Sequence, residues 1–259
     1  MAINEIQSIR RAIDILDFFN SDQPEMGVRE IARKLNLHPS TVGRILLTLT
    51  SLEILTQDKT THRYKMGSKV LKWGSVYLGS LDLQSEARPY MQELRQKTNE
   101  TVSLYVPSGN ERVLIERLES SHFIRVVAHV GQRMPLYAGA SGKVFLSFLP
   151  PDKREEVLEN MRIEPLTPTT IIDTEQLRKE LIVIRKRGYA VSHGERVEGA
   201  SSVSAPIFNF RNQVIGAISI SGPTSRFSKE KVNEIFEPLV KATNQISHDM
   251  GNITKEAAQ

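Results

Sequence analysis

The fold of the first part of the chain is decided by one stretch, HPSTVGRILLTLTS, at residues 38–51. Pro39 suits the first turn of a helix, because the amide proton that proline lacks has no partner at that position. Apolar residues then return at helical spacing and form one stripe: Val42, Ile45, Leu46 and Leu49. The pattern predicts an amphipathic helix over about 39–52, with a polar outer face.

The flanking sequence predicts two more helices and a short hairpin. A first helix carries Ile6, Ile9, Ile13 and Leu16 at helical spacing and ends before the turn sequence NSDQP. A second begins near Val28 and ends at Asn36, a residue type that tolerates the left-handed conformation. After the third helix, the segments ILTQ and HRYK flank the polar tip DKTT, which predicts a short two-stranded wing. This order predicts a winged helix-turn-helix.

The outer face of the third helix combines short hydroxyls with one arginine. An arginine matches guanine N7 and O6 or a phosphate, and hydroxyls donate to phosphates. We therefore predict that Ser40, Thr41 and Arg44 read the major groove of double-stranded DNA and that Arg29, Lys59 and Arg63 hold phosphates. Residues 1–65 carry nine basic against eight acidic side chains, so geometry rather than bulk charge must create this surface. The alternative interpretation is a helix that is simply solvated.

Composition excludes several classes of protein. The chain has 259 residues and a formal net charge of +4, with ordinary globular fractions of apolar and charged residues. It has no cysteine, which excludes a disulfide scaffold, a thiolate zinc site, an iron–sulfur cluster and a cysteine nucleophile. Charges are scattered through the first residues, and no apolar run reaches spanning length, so we expect a cytoplasmic protein that does not contact a membrane.

The segment from about Ser68 to Leu83 predicts a fourth helix that is apolar almost all round. One stripe contains Val70, Trp73, Gly74, Tyr77 and Leu81, and it is widened by Leu71, Val76 and Leu78. Such a helix needs cover on several sides, and the small domain has no element left to provide it. We therefore predict that a second copy of the chain packs here, in a homodimer or a dimer of dimers.

The remainder of the chain predicts an α+β domain with an antiparallel sheet of about six strands. A helix over residues 84–99 comes first. Period-two patterns then predict strands near 101–106, 112–118, 123–128, 189–192, 201–208 and 214–221. Helical patterns lie near 139–149, 151–161 and 174–187, and a last amphipathic helix runs from Val232 to Met250.

With these motifs in place, the chain resembles the IclR family of bacterial transcriptional regulators from about Ile6 to Met250. The resemblance is carried by IA and STVGRIL at 31–32 and 40–46, PLYAGASGK at 135–143, RGYAV at 187–191 and AISISGP at 217–223. It implies a winged helix-turn-helix at 6–67, a dimerising linker helix at 68–83 and an effector-binding domain at 84–252. Family members act as repressors or activators, form dimers or tetramers and respond to small metabolites, often organic acids. Since a two-fold dimer presents two reading helices, we expect a pseudo-palindromic operator.

The residues of the second domain indicate a small carboxylate site. Strand alternation places Ser219 and Ser221 on one face, and GASG at 139–142 opens an apolar helix whose free amides favour an anion. The alternative is that these serines and glycines serve packing alone. The resemblance implies effector contacts at Phe123, Val126, Met134, Ala140, Ser141, Ser192, Ser202, Ser219 and Ser221. Ser192 departs from the family, which can have a carboxylate there that Glu195 could replace, and Glu198 stands where proline is usual.

Catalytic patterns come close and fail. The sequence GASGK resembles a nucleophile elbow but ends in Lys143, and the six histidines form no H-x-x-x-H pair for zinc. His193 and Glu195 are the one acid–base pair worth considering, and a loop-surface pair is the better interpretation. We therefore predict no catalytic residue, metal or cofactor. The alternative function is a small-molecule binding protein or hydrolytic enzyme whose N-terminal domain serves dimerisation.

Overall fold

The computed structural model describes residues 5–20, 23–80 and 82–253, with the backbone alone for residues 75 and 77–80. The chain divides into two compact units, residues 1–81 and 82–259. Within the described residues the fold is mixed α and β. None of the helices described there combines the length and the apolar character that a membrane span requires.

The N-terminal unit has the predicted order of helices followed by a wing. Its elements are α1 (Gln7–Leu16), β1 (Glu25–Met26), α2 (Val28–Leu35), α3 (Pro39–Ser51), β2 (Leu55–Gln57), β3 (Tyr64–Met66) and α4 (Ser68–Ser80). Asn36 ends α2 with a φ of 53°, the left-handed conformation predicted for it. The ring of His38 accepts from the backbone N–H of Ser40, which caps α3 in front of Pro39. The wing has one strand more than predicted, because β1 pairs with β3 on the side opposite β2.

The core of this unit lies between the three helices and the small sheet. Its fully buried side chains include Ile15, Met26, Ile31, Val42 and Leu46. The apolar spacing of the first helix also predicted an inward stripe at Ile6, Ile9 and Ile13, yet these side chains are 64%, 58% and 48% exposed. The helical period is right, and the core of a single chain does not cover that face.

The helices predicted at about 68–83 and 84–99 correspond to two successive helices of the structure. The first, α4, ends at Ser80, and α5 begins at Leu83 with the side chain of Asp82 as its cap. In α4, Leu71, Trp73 and Val76 are 77%, 50% and 69% exposed. The predicted stripe also included the side chains of Tyr77 and Leu78 and residue Leu81, which lie outside the described part. Val70 packs against the core of the N-terminal unit, whereas Leu71, Trp73 and Val76 are available to another surface.

The C-terminal unit is built on a six-stranded antiparallel sheet, as predicted. Its elements are α5 (Leu83–Thr98), β4 (Thr101–Ser108), β5 (Glu111–Leu118), β6 (Arg133–Pro135), α6 (Ala140–Phe148), α7 (Pro151–Asn160), α8 (Thr174–Arg187), β7 (Ala190–His193), β8 (Ala200–Phe208), β9 (Val214–Pro223), a 3-10 turn (Thr224–Arg226) and α9 (Lys229–Asp249). The strand order is β6-β5-β4-β9-β8-β7.

Helices cover the sheet on both faces. On one face, Tyr105, Leu114 and Ala217 belong to a buried cluster with side chains of α6 and α8. Strand alternation directs Leu104 and Ile218 to the opposite face, where α5 and α9 pack against each other and α9 packs against β8. The face toward α6 carries most of the polar side chains, and the candidate site lies there.

The predicted strand at residues 123–128 is wrong. The outer edge of β5 pairs instead with Arg133–Pro135, in a register that sets Arg112 opposite Met134. The segment between β5 and β6 runs outside the sheet, and the guanidinium of Arg117 donates to the carbonyl of Val126 within it. Apolar side chains of both alternating sets are exposed, since Phe123, Ile124 and Val127 are 98%, 69% and 61% exposed, whereas Ala128 is buried. The period-two pattern was misleading because neither set forms a buried face.

Candidate functional site

A cavity lies between the polar face of the sheet and the first turn of α6. It encloses about 470 Å³ of empty space, part of which is open to solvent. Seven of the nine predicted effector contacts line it: Val126, Ala140, Ser141, Ser192, Ser202, Ser219 and Ser221. Of the other two, Phe123 points to solvent and Met134 is buried in the adjacent core cluster. Neither lines the cavity.

Strand register aligns the serines in a row. Ser192 pairs with Ser202, and Ser202 pairs with Ser221, so three hydroxyls cross β7, β8 and β9 side by side. Ser219 pairs with both Ser204 and Ser103 in the next row. Directly paired residues share a face of the sheet, so serine hydroxyl groups line the floor of the cavity. Hydroxyls both donate and accept, and such a floor suits an oxygen-rich ligand.

The wall opposite this floor is the N-terminus of α6. Gly139 precedes the helix with a φ of 86°, a conformation that side chains rarely adopt. The N–H groups of Ala140 and Ser141 lie in the first turn, where no carbonyl of the same helix is placed to accept from them. The positive end of the helix dipole adds to their attraction for an anion. Amides and hydroxyls therefore face each other across a space that suits a carboxylate.

Sequence reasoning missed three arginines that line the same cavity: Arg112, Arg117 and Arg196. Strict alternation places positions 112 and 117 on opposite faces of β5. A bulge breaks this rule: Tyr105 pairs with Leu114 but Leu104 pairs with Glu116, which leaves one residue of β5 unpaired. Both arginines consequently reach the cavity side. Nothing in the local sequence marks the bulge, so pattern analysis had no signal for it.

Arg112 is fully enclosed beneath the start of α6. Its Nη2 donates to the carbonyl of Ala138 at 2.9 Å, and its Nη1 donates to the carbonyl of Pro135. Burial lowers the pKa of Arg112 to about 10, so it keeps its charge at neutral pH. Burial likewise lowers the pKa of Arg117. The absence of a side chain at Gly142 leaves room for Arg112, because a Cβ there would collide with its Nη1.

A buried ion pair ties α6 to the loop that carries Arg196. Lys143 Nζ lies 2.5 Å from Glu195 Oε1 and 3.1 Å from the carbonyl of Val191, and the other oxygen of Glu195 accepts from the N–H of Gly139 at 3.1 Å. The Lys143 side chain is 1% exposed and that of Glu195 is 8% exposed. The interpretation of His193 and Glu195 as a loop-surface pair is therefore wrong.

Neither His193 nor Glu195 is free to act as the acid–base pair that the sequence suggested. His193 Nδ1 pairs with the hydroxyl of Ser201 at 2.9 Å rather than with Glu195. The Glu195 carboxylate is engaged by Lys143 and Gly139 and does not replace the missing acid of position 192. Among the described residues, no group of three or more histidine, aspartate or glutamate side chains is placed to hold a metal ion.

In the N-terminal unit, the predicted DNA-contacting side chains fall into two groups. Arg29, Ser40, Arg44 and Lys59 are exposed, and Thr41 is half-buried. Ser40 also shares a hydrogen bond of 2.8 Å with the ring of His38, which fixes its hydroxyl at the start of α3. The wing tip around Lys59 is held by Asp58, whose pKa is lowered by hydrogen bonds from Thr61 and Thr60.

Arg63 is half-buried and, unlike the exposed group, is held by other residues of the unit. Its Nη2 lies 2.8 Å from the carbonyl oxygen of Glu25 and 3.0 Å from the carboxylate of Glu30. These contacts join the wing to the start of α2. The guanidinium group is thus engaged within the unit.

Comparison with known proteins agrees with this architecture. The IclR helix-turn-helix domain matches residues 8–59, and the bacterial transcriptional regulator IclR C-terminal domain matches residues 75–248. The HTH-type transcriptional regulator XynR of Escherichia coli K12 is 31% identical over 246 residues, covering 95% of this chain and 98% of XynR. KdgR of the same strain is 32% identical over 248 residues, covering 96% and 94%.

Solved structures extend the comparison to three dimensions. The crystal structure of the Agobacterium tumefaciens repressor BlcR matches with a TM-score of 0.77 at 27% identity, covering 97% of this chain and 100% of that one. These relatives are named as regulators and repressors of transcription, not as enzymes. The chain belongs to the IclR family of DNA-binding bacterial transcriptional regulators.

Proposed function

We propose that the protein is a ligand-responsive regulator whose C-terminal unit binds a small carboxylate and thereby changes the affinity of the N-terminal unit for operator DNA. The observation that carries this proposal is the cavity, where two helix-start amides face a row of three hydroxyls. These amides and hydroxyls can donate hydrogen bonds to a bound carboxylate, and the helix start adds a positive potential. We propose the division into a DNA-binding domain at 6–67, a linker helix at 68–83 and an effector domain at 84–252.

On the DNA side, α3 is the reading helix. Its exposed face carries Arg44, which has no side-chain partner among the described residues, together with Ser40 and Thr41 at the helix start. Arg29 and Lys59 are exposed for phosphate contacts. Since Arg63 is engaged by Glu30, we assign it to fixing the wing and expect its removal to act through wing position.

We propose that the regulator works as a homodimer, or a dimer of two dimers. The exposed apolar side chains Leu71, Trp73 and Val76 of α4 support this, because such a surface on one helix is typical of an interface. A dimer with a two-fold axis binds a pseudo-palindromic operator, whose half-sites lie about 10 bp apart or at a multiple of that spacing. A ligand shifts this assembly only if it binds one arrangement of the dimer better than another.

The test is a salt titration of binding to the DNA upstream of the protein's own gene, with the full-length chain. We expect affinity to fall steeply with salt, and Arg44→Ala to bind about 10- to 100-fold more weakly at fixed salt. Arg162→Ala, at a highly exposed position of the other unit, is the matched control and keeps the native affinity. Binding no tighter than to unrelated DNA would contradict the proposal, and an unchanged Arg44→Ala would remove that residue from the reading surface.

A further inference from the structure

The lining of the effector cavity is unusually rich in positive charge. Arg112, Arg117 and Arg196 line it, and none of the described lining residues is acidic. The carboxylate of Glu195 lies nearby, but Lys143 neutralises it. The described side chains that line the cavity therefore carry three positive charges and no negative one.

The protein itself leaves these charges largely uncompensated. Arg112 donates to two backbone carbonyls rather than to a carboxylate, and its buried Nε has no partner among the described residues. The Nε of Arg117 is also buried without a hydrogen-bond partner; the carboxylate of Glu119 lies 3.8 Å away and is shared with Arg125 at 3.0 Å. Arg196 forms no ion pair in the described part of the chain.

Gathering like charges in a partly dry space is costly, because each guanidinium loses hydration and repels its neighbours. Arg196 acts on both Arg112 and Arg117 in this way, since its charge lowers the pKa of each, in addition to the larger effect of burial. A fold that keeps such a cluster beside a ligand site gains when an anionic ligand arrives. Two unpaired buried Nε–H groups identify donors that are available to it.

The positive groups approach the cavity from two ends. Arg112 lies under the start of α6, where a Cβ on Gly139 would be 3.0 Å from its Nη2. Arg117 begins roughly 13 Å away along β5, given four paired positions and the bulge between them. Its backbone pairs with Ser103, which in turn pairs with Ser219. A ligand with one anionic group can bind the positive groups at one end of the cavity and leaves those at the other end without an anionic partner.

We propose that the effector is a small dicarboxylate, with one carboxylate received by the α6 amides and the serine row and the other by the guanidinium groups of Arg117 and Arg196. This proposal rests on the proposed carboxylate-responsive function and narrows the effector to acids with two separate negative groups. Arg112 contributes charge from beneath the first carboxylate while holding its two carbonyls. Bidentate pairing makes guanidinium groups well suited to the second carboxylate.

The test is calorimetric titration of the full-length protein at neutral pH with acids that differ in one charge. Malonate, succinate and glutarate are each compared with their monoamides, which keep the shape and lose one carboxylate; inorganic phosphate is the probe for a single multiply charged group. We expect the best diacid to bind at least about tenfold more tightly than its own monoamide. That preference should fall to within about threefold in Arg117→Met and Arg196→Met and persist in the exposed control Arg162→Met.

Three results would overturn the proposal: equal affinity for a diacid and its monoamide, tighter binding of phosphate than of any diacid, or no binding of any of these acids. The first comparison uses the native protein, so it does not depend on whether the variants fold. Operator binding is measured on the same preparations. Operator binding without acid binding would refute the dicarboxylate and leave the DNA-binding function standing, whereas loss of operator binding in the native protein would refute the proposed function itself.

Discussion

Replacing Lys143 by methionine tests whether the ion pair beneath the cavity holds the C-terminal unit together. In the native protein Nζ lies 2.5 Å from Glu195 Oε1, and the side chains are 1% and 8% exposed. Methionine fills the space but leaves the carboxylate buried, with the Gly139 N–H as its remaining donor. Removing one partner of a buried pair costs about 3–5 kcal/mol, because the other charge loses its compensation. We expect a loss of unfolding free energy in that range.

The assay is urea unfolding of the full-length chain followed by far-UV circular dichroism. The chain's single tryptophan, Trp73, lies in the N-terminal unit, so its fluorescence follows that unit separately. Lys179→Met is the matched control, an exposed lysine on α8, with an expected change within about 0.5 kcal/mol. In the double variant Lys143→Met/Glu195→Gln the losses should fall short of additivity by at least about 1 kcal/mol. A loss below about 1 kcal/mol for Lys143→Met, or strict additivity, would refute the reasoning.

Three further outcomes follow from single contacts. Gly142→Ala should destabilise the C-terminal unit by about 1–3 kcal/mol in urea unfolding, because the added Cβ would collide with the Leu136 carbonyl. Gly43→Ala is the control and should not destabilise the protein, because a Cβ there has no neighbour within 4 Å. Tyr90 donates to Asp249, which raises the pKa of Tyr90 to about 12. The stabilisation linked to this raised pKa is fully present at pH 7–10 and is lost between pH 10 and 12, and ultraviolet titration should lose this late step in Tyr90→Phe. Leu71→Glu should shift the sedimentation coefficient toward a monomer, and Lys153→Glu on α7 should not; a dimeric Leu71→Glu would contradict the proposed interface.

Local patterns predicted most of the fold because the deciding signals are local. Proline at position 39, asparagine at 36 and the apolar stripe of α3 each act within one or two turns of helix. The predicted strands of the C-terminal sheet formed in five of six places, and the exception, at 123–128, shows the limit of the method. Period-two alternation indicates a strand only if a neighbour pairs with it, and the outer edge of β5 pairs with Arg133–Pro135 rather than with this segment.

The candidate site was predicted in its serines and missed in its arginines, for a related reason. Alternation along β9 is regular, so local spacing was enough to place Ser219 and Ser221 on one face, whereas Ser202 was implied by the family resemblance and is brought beside Ser221 by the pairing of β8 with β9. Arg117 reaches the same face only because a bulge shifts β5 against β4, and a bulge is a property of two strands together. Glu195 was predicted to lie on a surface loop because local sequence does not show its pairing with Lys143, which is 52 positions away.

The measurement that tests the central claim most directly is operator affinity at fixed salt, with and without a saturating amount of the diacid that binds most tightly in the calorimetric panel. The account predicts that the dissociation constant for the DNA upstream of the gene changes at least about fivefold, since coupling between two sites is typically worth 1–3 kcal/mol. An acid that saturates the cavity by calorimetry and leaves the operator dissociation constant unchanged would contradict it.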